Sequence, residues 1–448
     1  MSHNFALLAA LLVAILPSVA SATPEVPGAP QEHPIALVGA TVHPVSGPPM
    51  ANATLLFDNG KIVAIGTDVA IPANAERVEL TGKHIYPGLI DANSQLGLVE
   101  VSSVRGSRDQ TETGLINPNV RAEVAFNPDS ELIPVSRSGG VLTVLTVPSG
   151  GLIAGKSACM QLDGWTWEEM RLKGDVGLHI TWPTMSPIEA WWIETSTADQ
   201  ISERDKSLKA LRQAMVEAKA YQIAKRAEAD GKSGPPEFDA RWEAMLPVLA
   251  GKLPVYFDAE ETQQIQAALA FAEQHSLRAV IVGGYDALHC ASLLKKGNVP
   301  VIVGGVHRLP TRKADPHDAP FTLPARLKAA GIPFCIAGVI GGASGSSPAN
   351  VRNLAYHAAT ATAYGLAADE ALKAVTLYPA QILGVADRIG SLEAGKDATL
   401  LVTTGDPLEI STQVTAAYLQ GRAISLNDRH KRLWEKYKEK YRRIGIKN

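Results

Sequence analysis

Strand-like segments lie at both ends of this chain, and the need to pair them constrains its fold more than any other feature. Near the amino end, the turn Asp58-Asn59-Gly60 stands between two short apolar runs. An Asn-Gly pair in that setting is a strong β-hairpin signal. Near the carboxyl end, short apolar runs return from residue 398 onward. We therefore predict one small β-sandwich domain built from both chain ends, from residues 35–83 and 390–426.

Between these segments, short apolar runs alternate with stretches of helical periodicity. Val141 to Val147 and Val299 to Val303 are typical of buried strands, and residues 260–275 carry apolar side chains at i, i+3, i+4 and i+7. Strands that alternate with helices imply parallel pairing, in a barrel or in a doubly wound sheet. The β-rich ends favour the barrel. We predict the α/β class, with a distorted (β/α)8 TIM-type barrel over residues 84–389.

Two helical segments fall outside this alternation. Residues from about 185 to 250 are predicted to form a helical insertion, and we expect Trp191-Trp192 to anchor it, with stacking on a ligand as the alternative. Residues 427–448 are predicted to form a basic C-terminal helix, since nine Lys and Arg oppose three Asp and Glu there. We expect its aromatic side chains to dock on the body of the protein. The alternative is contact with an anionic lipid surface or a partner.

The amino terminus indicates export. Phe5 to Leu16 is an uninterrupted apolar run followed by Ala20-Ser21-Ala22, an order typical of a cleaved signal peptide over residues 1–22. The run is shorter than the ~20 residues that span a bilayer. We therefore predict a periplasmic or secreted protein with no transmembrane anchor after cleavage. The formal net charge of −3 argues against nucleic acid as a partner.

Three motifs resemble those of the metal-dependent amidohydrolase superfamily. Gly82 to Ala92, which contains Pro87-Gly88-Leu89-Ile90-Asp91, resembles the family's entry into its first barrel strand. Residues 371–384 resemble its late helix, and Gly390 to Ala398 resembles its return to the small domain. The resemblance implies the barrel fold and a hydrolase that acts on non-peptide C–N bonds. It also implies zinc or another divalent metal that activates a water molecule.

The resemblance fails at the positions of the metal ligands. Where the family has His-x-His after the first strand, this chain has Asn93-Ser94-Gln95, and the later ligand positions fall at Asp258, Gly283 and Val339. Zinc favours imidazole, thiolate and carboxylate ligands, and amide side chains replace imidazole poorly. The chain therefore resembles a divergent, secreted branch of the superfamily with a degenerate metal site. We expect no metal cofactor and regard the chain as a pseudoenzyme candidate.

One other cluster is a candidate site. His307, Asp315, His317 and Asp318 lie in a loop that follows a predicted barrel strand, on the face where such barrels carry their sites. A relocated metal site is one interpretation of this cluster. We favour a rigid turn over the barrel mouth, because no second cluster supplies further ligands.

Several other polar groups are expected to be structural. Glu260 and Glu261 suit the first turn of a helix, where the macrodipole favours anions. We expect His357 to be a packed core residue within a helix. The cysteines at 159, 290 and 335 are too far apart for a CxxC motif, so we expect plain core residues.

Two classes of function remain open, and no catalytic residue is assigned. The first is an amidohydrolase-type enzyme whose activity is in doubt because the metal ligands are substituted. The second is a non-catalytic subunit that binds a small amide or peptide-like ligand. Such a subunit would form a homo-oligomer or pair with a related, active amidohydrolase.

Overall fold

The structure is a computed structural model of the chain, and it describes residues 26–338 and 348–445. Over these residues the chain forms two sheets of eight strands each, surrounded by helices. No helix in the described ranges is both long enough and apolar enough to cross a membrane. The predicted signal peptide lies outside the described residues.

Sixteen strands occur in the described part of the chain. In chain order they are β1 (Ile35–Val42), β2 (Met50–Asp58), β3 (Lys61–Gly66), β4 (Glu76–Glu79), β5 (His84–Pro87), β6 (Leu89–Ser94), β7 (Val141–Thr146), β8 (Ile153–Gln161), β9 (Arg171–Thr181), β10 (Val255–Ala259), β11 (Ala279–Gly283), β12 (Val301–Val303), β13 (Phe334–Ile336), β14 (Leu400–Thr403), β15 (Val414–Leu419) and β16 (Arg422–Ala423).

Eleven α-helices occur in the same ranges, together with short 3-10 turns. They are α1 (Leu132–Ser138), α2 (Trp167–Met170), α3 (Thr197–Ala229), α4 (Ala240–Leu249), α5 (Thr262–His275), α6 (Ala291–Lys296), α7 (Ala319–Ala329), α8 (Leu354–Ala363), α9 (Ala368–Lys373), α10 (Leu377–Leu383) and α11 (Arg429–Arg443).

The first sheet joins the two ends of the chain, as predicted. Its strand order is β16-β15-β14-β5-β1-β2-β3, and β4 pairs with β1. Asn59 and Gly60 turn the β2–β3 hairpin with positive φ angles of 49° and 75°, and the Ile62 N–H donates to the Lys396 carbonyl. Strand β5 belongs to this sheet, so the prediction that the barrel begins at His84 is wrong. The change of sheet therefore falls at Gly88.

The second sheet is a nearly closed barrel with the order β6-β7-β8-β9-β10-β11-β12-β13. The TIM-type prediction is confirmed, but the expectation of parallel pairing throughout is wrong. Strand β8 runs antiparallel to both β7 and β9, so a β-meander replaces a βα unit there. Buried apolar residues fill the interior, among them Ile90, Leu145, Tyr256, Val282, Ile302 and Cys335. All three cysteines are buried free thiols, as predicted.

The helical insertion forms mainly from α3 and α4. Ser196 caps the start of α3 by accepting a hydrogen bond from the Asp199 N–H, and the Tyr221 hydroxyl joins the two helices by donating to Glu243 at 2.7 Å. The expectation that Trp191-Trp192 anchors this helix is wrong. Trp191 is 92% exposed, and the two indoles pack edge to face on each other.

The C-terminal helix α11 also departs from expectation. We predicted that its aromatic stripe docks on the body, but Trp434, Tyr437 and Tyr441 are all exposed, and the helix buries none of its residues. Its attachment is polar and lies at its first turn, where Arg432 contacts Glu131 at 2.7 Å. The helix therefore presents its aromatic face to solvent.

Candidate functional site

The four described positions that are predicted to replace family ligands lie at or near strand ends of the barrel. Asn93 is the next-to-last residue of β6 and Gln95 follows that strand, while Asp258 and Gly283 lie at the carboxyl ends of the neighbouring strands β10 and β11. Because carboxyl ends of parallel barrel strands meet at one face, this face is the candidate site. Val339, the fifth position, lies outside the described residues.

Gly283 has a backbone conformation that disfavours a metal-binding side chain. Its φ is +91°, in the region that glycine adopts readily and other residues rarely do. A Cβ placed there would lie 2.7 Å from the carboxyl carbon of Glu260. An imidazole at this position would therefore require both backbone strain and displacement of Glu260.

Glu260 itself is held by the loop that follows β12. Arg308 donates from Nη1 to Glu260 Oε1 at 2.9 Å, and the Tyr285 N–H donates to Oε2 at 3.0 Å. The helix-start prediction holds for the neighbouring Glu261, which caps α5 through a capping box with Gln264. Glu260 instead forms an ion pair at the rim of the barrel.

A second ion pair fixes the same loop. Arg312 binds both carboxylate oxygens of Asp286, at 2.8 Å and 2.6 Å, and its Nε donates to Asp315 at 3.1 Å. Burial alone would raise the pKa of Asp286, but hydrogen bonds from Arg312 and Thr262 outweigh it and the pKa is lowered. The Tyr285 hydroxyl completes the network by donating to Asp315 at 2.8 Å.

The candidate cluster of His307, Asp315, His317 and Asp318 is therefore divided among different partners. Asp315 faces Arg312 and Tyr285, whereas His307 lies against the His357 ring at 4.3 Å between centroids and contacts the Thr360 hydroxyl at 2.7 Å. His317 is exposed, and Asp318 directly precedes α7. His357 is buried in α8, as predicted for a core residue. Burial and the neighbouring His307 lower its pKa to about 4.

Asp91, from the motif at the first barrel strand, bridges the seam where β6 meets β13. Its Oδ1 accepts hydrogen bonds from the Gly338 N–H at 3.1 Å and from the Asn93 N–H at 3.2 Å. The side chain is fully buried, and its Oδ2 has no hydrogen-bond partner within residues 26–338 and 348–445. Burial raises the pKa of Asp91 to about 7, although both backbone donors act in the opposite direction. A carboxyl group with that pKa is able to change its charge near neutral pH.

The donors at the strand ends do not fit a site for zinc or a similar metal. Asn93 and Gln95 offer amides, Gly283 offers no side chain, and only Asp258 of the four described positions offers a carboxylate. Within residues 26–338 and 348–445, no group of three or more His, Cys, Asp or Glu side chains is placed to hold a metal ion. The family's metal-activated water therefore has no matching set of ligands at these positions.

Sequence reasoning missed the two arginine–carboxylate pairs. Glu260 and Asp286 each follow a barrel strand, and Arg308 and Arg312 are four residues apart in one loop. That complementary charge pattern was a usable signal. The partners are 48 and 26 residues apart, however, so the sequence did not indicate which carboxylate each arginine binds.

Comparison with known proteins supports the family assignment. The sequence model of the amidohydrolase family matches residues 321–424. A solved structure of an amidohydrolase from Thermotoga maritima MSB8 is 28% identical, with a TM-score of 0.76, and the match covers 87% of this chain and 99% of that one.

Two curated relatives match over parts of their length. Amidohydrolase tasK from Hapsidospora irregularis is 23% identical over 82% of this chain, and an imidazolonepropionase from Rhizorhabdus wittichii is 30% identical over 42% of it. The chain spans 39% and 42%, respectively, of the lengths of these two proteins. The nearly closed barrel, the family model over residues 321–424 and these relatives together support the amidohydrolase superfamily as the family of this chain.

Proposed function

We propose that this chain is an exported protein that binds a small, neutral amide or peptide-like molecule at the carboxyl ends of its barrel strands. We further propose that it does not hydrolyse C–N bonds by the metal-dependent route of its superfamily. The observation that carries the proposal is the conformation of Gly283. Its positive φ and the Glu260–Arg308 ion pair oppose an imidazole at that position.

The chemistry of the site supports a neutral ligand. Asn93 and Gln95 carry primary amides, each of which offers donors and an acceptor that complement another amide. The charged groups at the rim are paired with one another, as Arg308 with Glu260 and Arg312 with Asp286. A ligand without net charge leaves these pairs intact, and small-molecule sites commonly use a few polar groups of this kind.

The proposal is tested with the chain lacking residues 1–22. Its thermal unfolding is measured with lactams and with dipeptides, which carry no net charge near neutral pH. We expect a saturable rise in melting temperature with one of these ligands, unchanged by EDTA. At a ligand concentration of 100 Kd the stabilisation should be about 2.7 kcal/mol.

A pair of variants locates the binding. Asn93→Leu combined with Gln95→Leu should abolish the rise in melting temperature, while Gln213→Leu, which removes an amide on the insertion helix α3, should preserve it. Elemental analysis and turnover assays with added zinc or manganese accompany the binding measurements. About one metal ion per chain, together with metal-dependent hydrolysis by the unmodified protein, would overturn the proposal in favour of an active C–N hydrolase.

A further inference from the structure

The terminal helix α11 has an exposed aromatic stripe. Trp434, Tyr437 and Tyr441 recur at i, i+3 and i+7 and are 56%, 46% and 42% exposed. At about 100° per residue these positions fall on one side of the helix, and the exposed Ile444 extends the stripe. Large apolar side chains aligned in this way indicate a surface that contacts something outside the chain.

Cations border this stripe on both sides. Helical geometry places Lys431, Lys438 and Arg442 along one border and Arg429, Lys436 and Lys440 along the other. The Lys438 ammonium lies 4.3 Å from the Trp434 ring centroid, and Lys440 lies within 6 Å of both tyrosine rings. Glu435 and Glu439 fall on the opposite side of the helix. The basic and aromatic groups therefore form one continuous surface.

The attachment of the helix leaves this surface accessible. Asp428 caps the first turn by accepting from the His430 and Lys431 N–H groups, and Arg432 pairs with Glu131 of the body. On the helical wheel, Arg432 lies on the side away from the aromatic stripe. His430, by contrast, lies on the same side as the stripe and contacts Arg352 of the body at 2.9 Å. These contacts with the body lie at the first turn, and Trp434, Tyr437 and Tyr441 beyond it are exposed.

The terminal helix is positively charged, whereas the rest of the chain carries a net negative charge. The whole chain has a net charge of −3, and the segment from Asp428 holds nine Lys and Arg against three Asp and Glu. The remaining residues are therefore net negative by nine. A positive helix on a negative body directs the helix, and not the body, toward an anionic surface.

We propose that α11 binds the headgroup region of anionic phospholipids and lies in the plane of the membrane surface. Trp and Tyr favour the membrane–water interface because their rings are apolar while their N–H and O–H groups remain hydrated. Lysines at the borders of the stripe extend toward the headgroups while their aliphatic stems cover apolar surface. A flat lipid surface meets the whole length of the stripe at once, which favours it over a compact acidic protein as the occupant.

Vesicle sedimentation tests this proposal with the chain lacking residues 1–22. Vesicles of phosphatidylcholine with 30% phosphatidylglycerol should bind the protein, pure phosphatidylcholine vesicles should bind it weakly, and 0.5 M salt should release it. Lys436→Gln, Lys438→Gln and Lys440→Gln together should weaken binding about a hundredfold, at roughly fivefold for each lysine. Trp434→Ala combined with Tyr437→Ala should also weaken vesicle binding. Lowering the salt concentration should not restore the lost affinity, because the aromatic contacts are not electrostatic.

The matched control replaces three exposed lysines of the body: Lys209→Gln, Lys232→Gln and Lys252→Gln. It has the same change in net charge and should keep its vesicle affinity within twofold. Equal losses in the control and in the helix variant would show that net charge alone drives binding and would overturn the proposal. Binding to duplex DNA in preference to the anionic vesicles, or no dependence on phosphatidylglycerol, would overturn it as well.

Discussion

Two carboxylates buried in the barrel, one at its seam and one at its rim, respond to burial in opposite ways. Asp91 receives hydrogen bonds from backbone N–H groups, and its pKa rises to about 7. Asp286 is also buried, but the Arg312 guanidinium binds both of its oxygens, and its pKa is lowered. The comparison teaches that the partner of a buried carboxylate, more than its depth, decides whether it is charged.

The largest expected effect on the free energy of unfolding comes from replacing Asp91, the buried carboxyl group at the seam between β6 and β13, with a neutral residue. The raised pKa of Asp91 means that the folded state holds its proton more tightly than the unfolded state, so its contribution to stability is lost as pH rises from about 4 to 7. Asp91→Asn removes this titration. The free energy of unfolding of the variant relative to the parent should therefore increase by roughly 4 kcal/mol between pH 4 and pH 8.

Urea denaturation at several pH values measures this difference. Asp109→Asn, which neutralises an exposed carboxylate, serves as the control and should give a curve parallel to that of the parent. If the pH dependence of the free energy of unfolding were also the same in Asp91→Asn as in the parent, the carboxyl group of Asp91 would have an ordinary pKa. The contrast with Asp286 would then disappear.

The second effect comes from removing the cation at the rim. Arg312→Ala leaves Asp286 buried with only the Thr262 hydrogen bonds, so we expect a loss of about 2 kcal/mol, less than for a fully buried pair because Arg312 is partly exposed. Because the pKa of Asp286 is lowered, its contribution to stability depends on pH in the opposite direction from that of Asp91. The contribution of the Asp286 carboxylate is present above pH 4 and is lost as the pH falls further. The variant should therefore approach the parent in stability under acid conditions.

Lys313→Ala, which truncates the exposed neighbour, is the control for Arg312→Ala. Its stability should stay within 0.5 kcal/mol of the parent, a range typical of surface substitutions. A similar loss in both variants would assign the effect to the loop backbone and not to the ion pair.

A third effect, similar in size to that of Arg312→Ala, tests the steric contact at Gly283. Gly283→Ala should cost about 1 to 3 kcal/mol, because it combines a positive φ with a Cβ placed against Glu260. Gly231→Ala provides the reference, since Gly231 has a φ of +68° and open space around its Cβ position. The difference in unfolding free energy between the two variants measures the contact with Glu260. Equal losses would leave only backbone strain and would weaken the case against an imidazole there.

The smallest effect is expected at the terminal helix. The triple variant Lys436→Gln, Lys438→Gln and Lys440→Gln should change the free energy of unfolding by less than about 0.5 kcal/mol, because exposed charges contribute little to stability. Calorimetry of the parent and of the triple variant measures this change in the free energy of unfolding. A larger loss would mean that these lysines hold the helix to the body, unlike the lysines of a surface open to a partner.

Local patterns in the sequence were sufficient for the first sheet and insufficient for the barrel mouth. Asn59-Gly60 predicts the hairpin because only a few residues tolerate two successive positive φ angles. Strands β8 and β9 were missed because β8 is buried along its whole length and β9 from Val176 to Ile180, so neither shows a regular alternation, and glycines interrupt both strands. At Gly283, neither the positive φ nor the contact with Glu260 can be predicted from local sequence.

The terminal helix shows a different limit. An amphipathic pattern of Trp, Tyr and Lys is the same whether the aromatic side faces the body or solvent. Polar contacts at the first turn hold the helix to the body, Arg432 with Glu131 and His430 with Arg352, and these partners are 301 and 78 residues apart.

The pairing of β5 with β14 has a consequence for the order in which the chain acquires structure. Pro87 lies opposite Leu400, so the first sheet stays incomplete until the whole barrel has been synthesised. Until then, one side of β5 exposes unpaired backbone groups that readily join another strand. Closure of so long an intervening segment is entropically slow. Until β14 has been synthesised, pairing of β5 with a strand of a neighbouring molecule therefore competes with completion of the sheet.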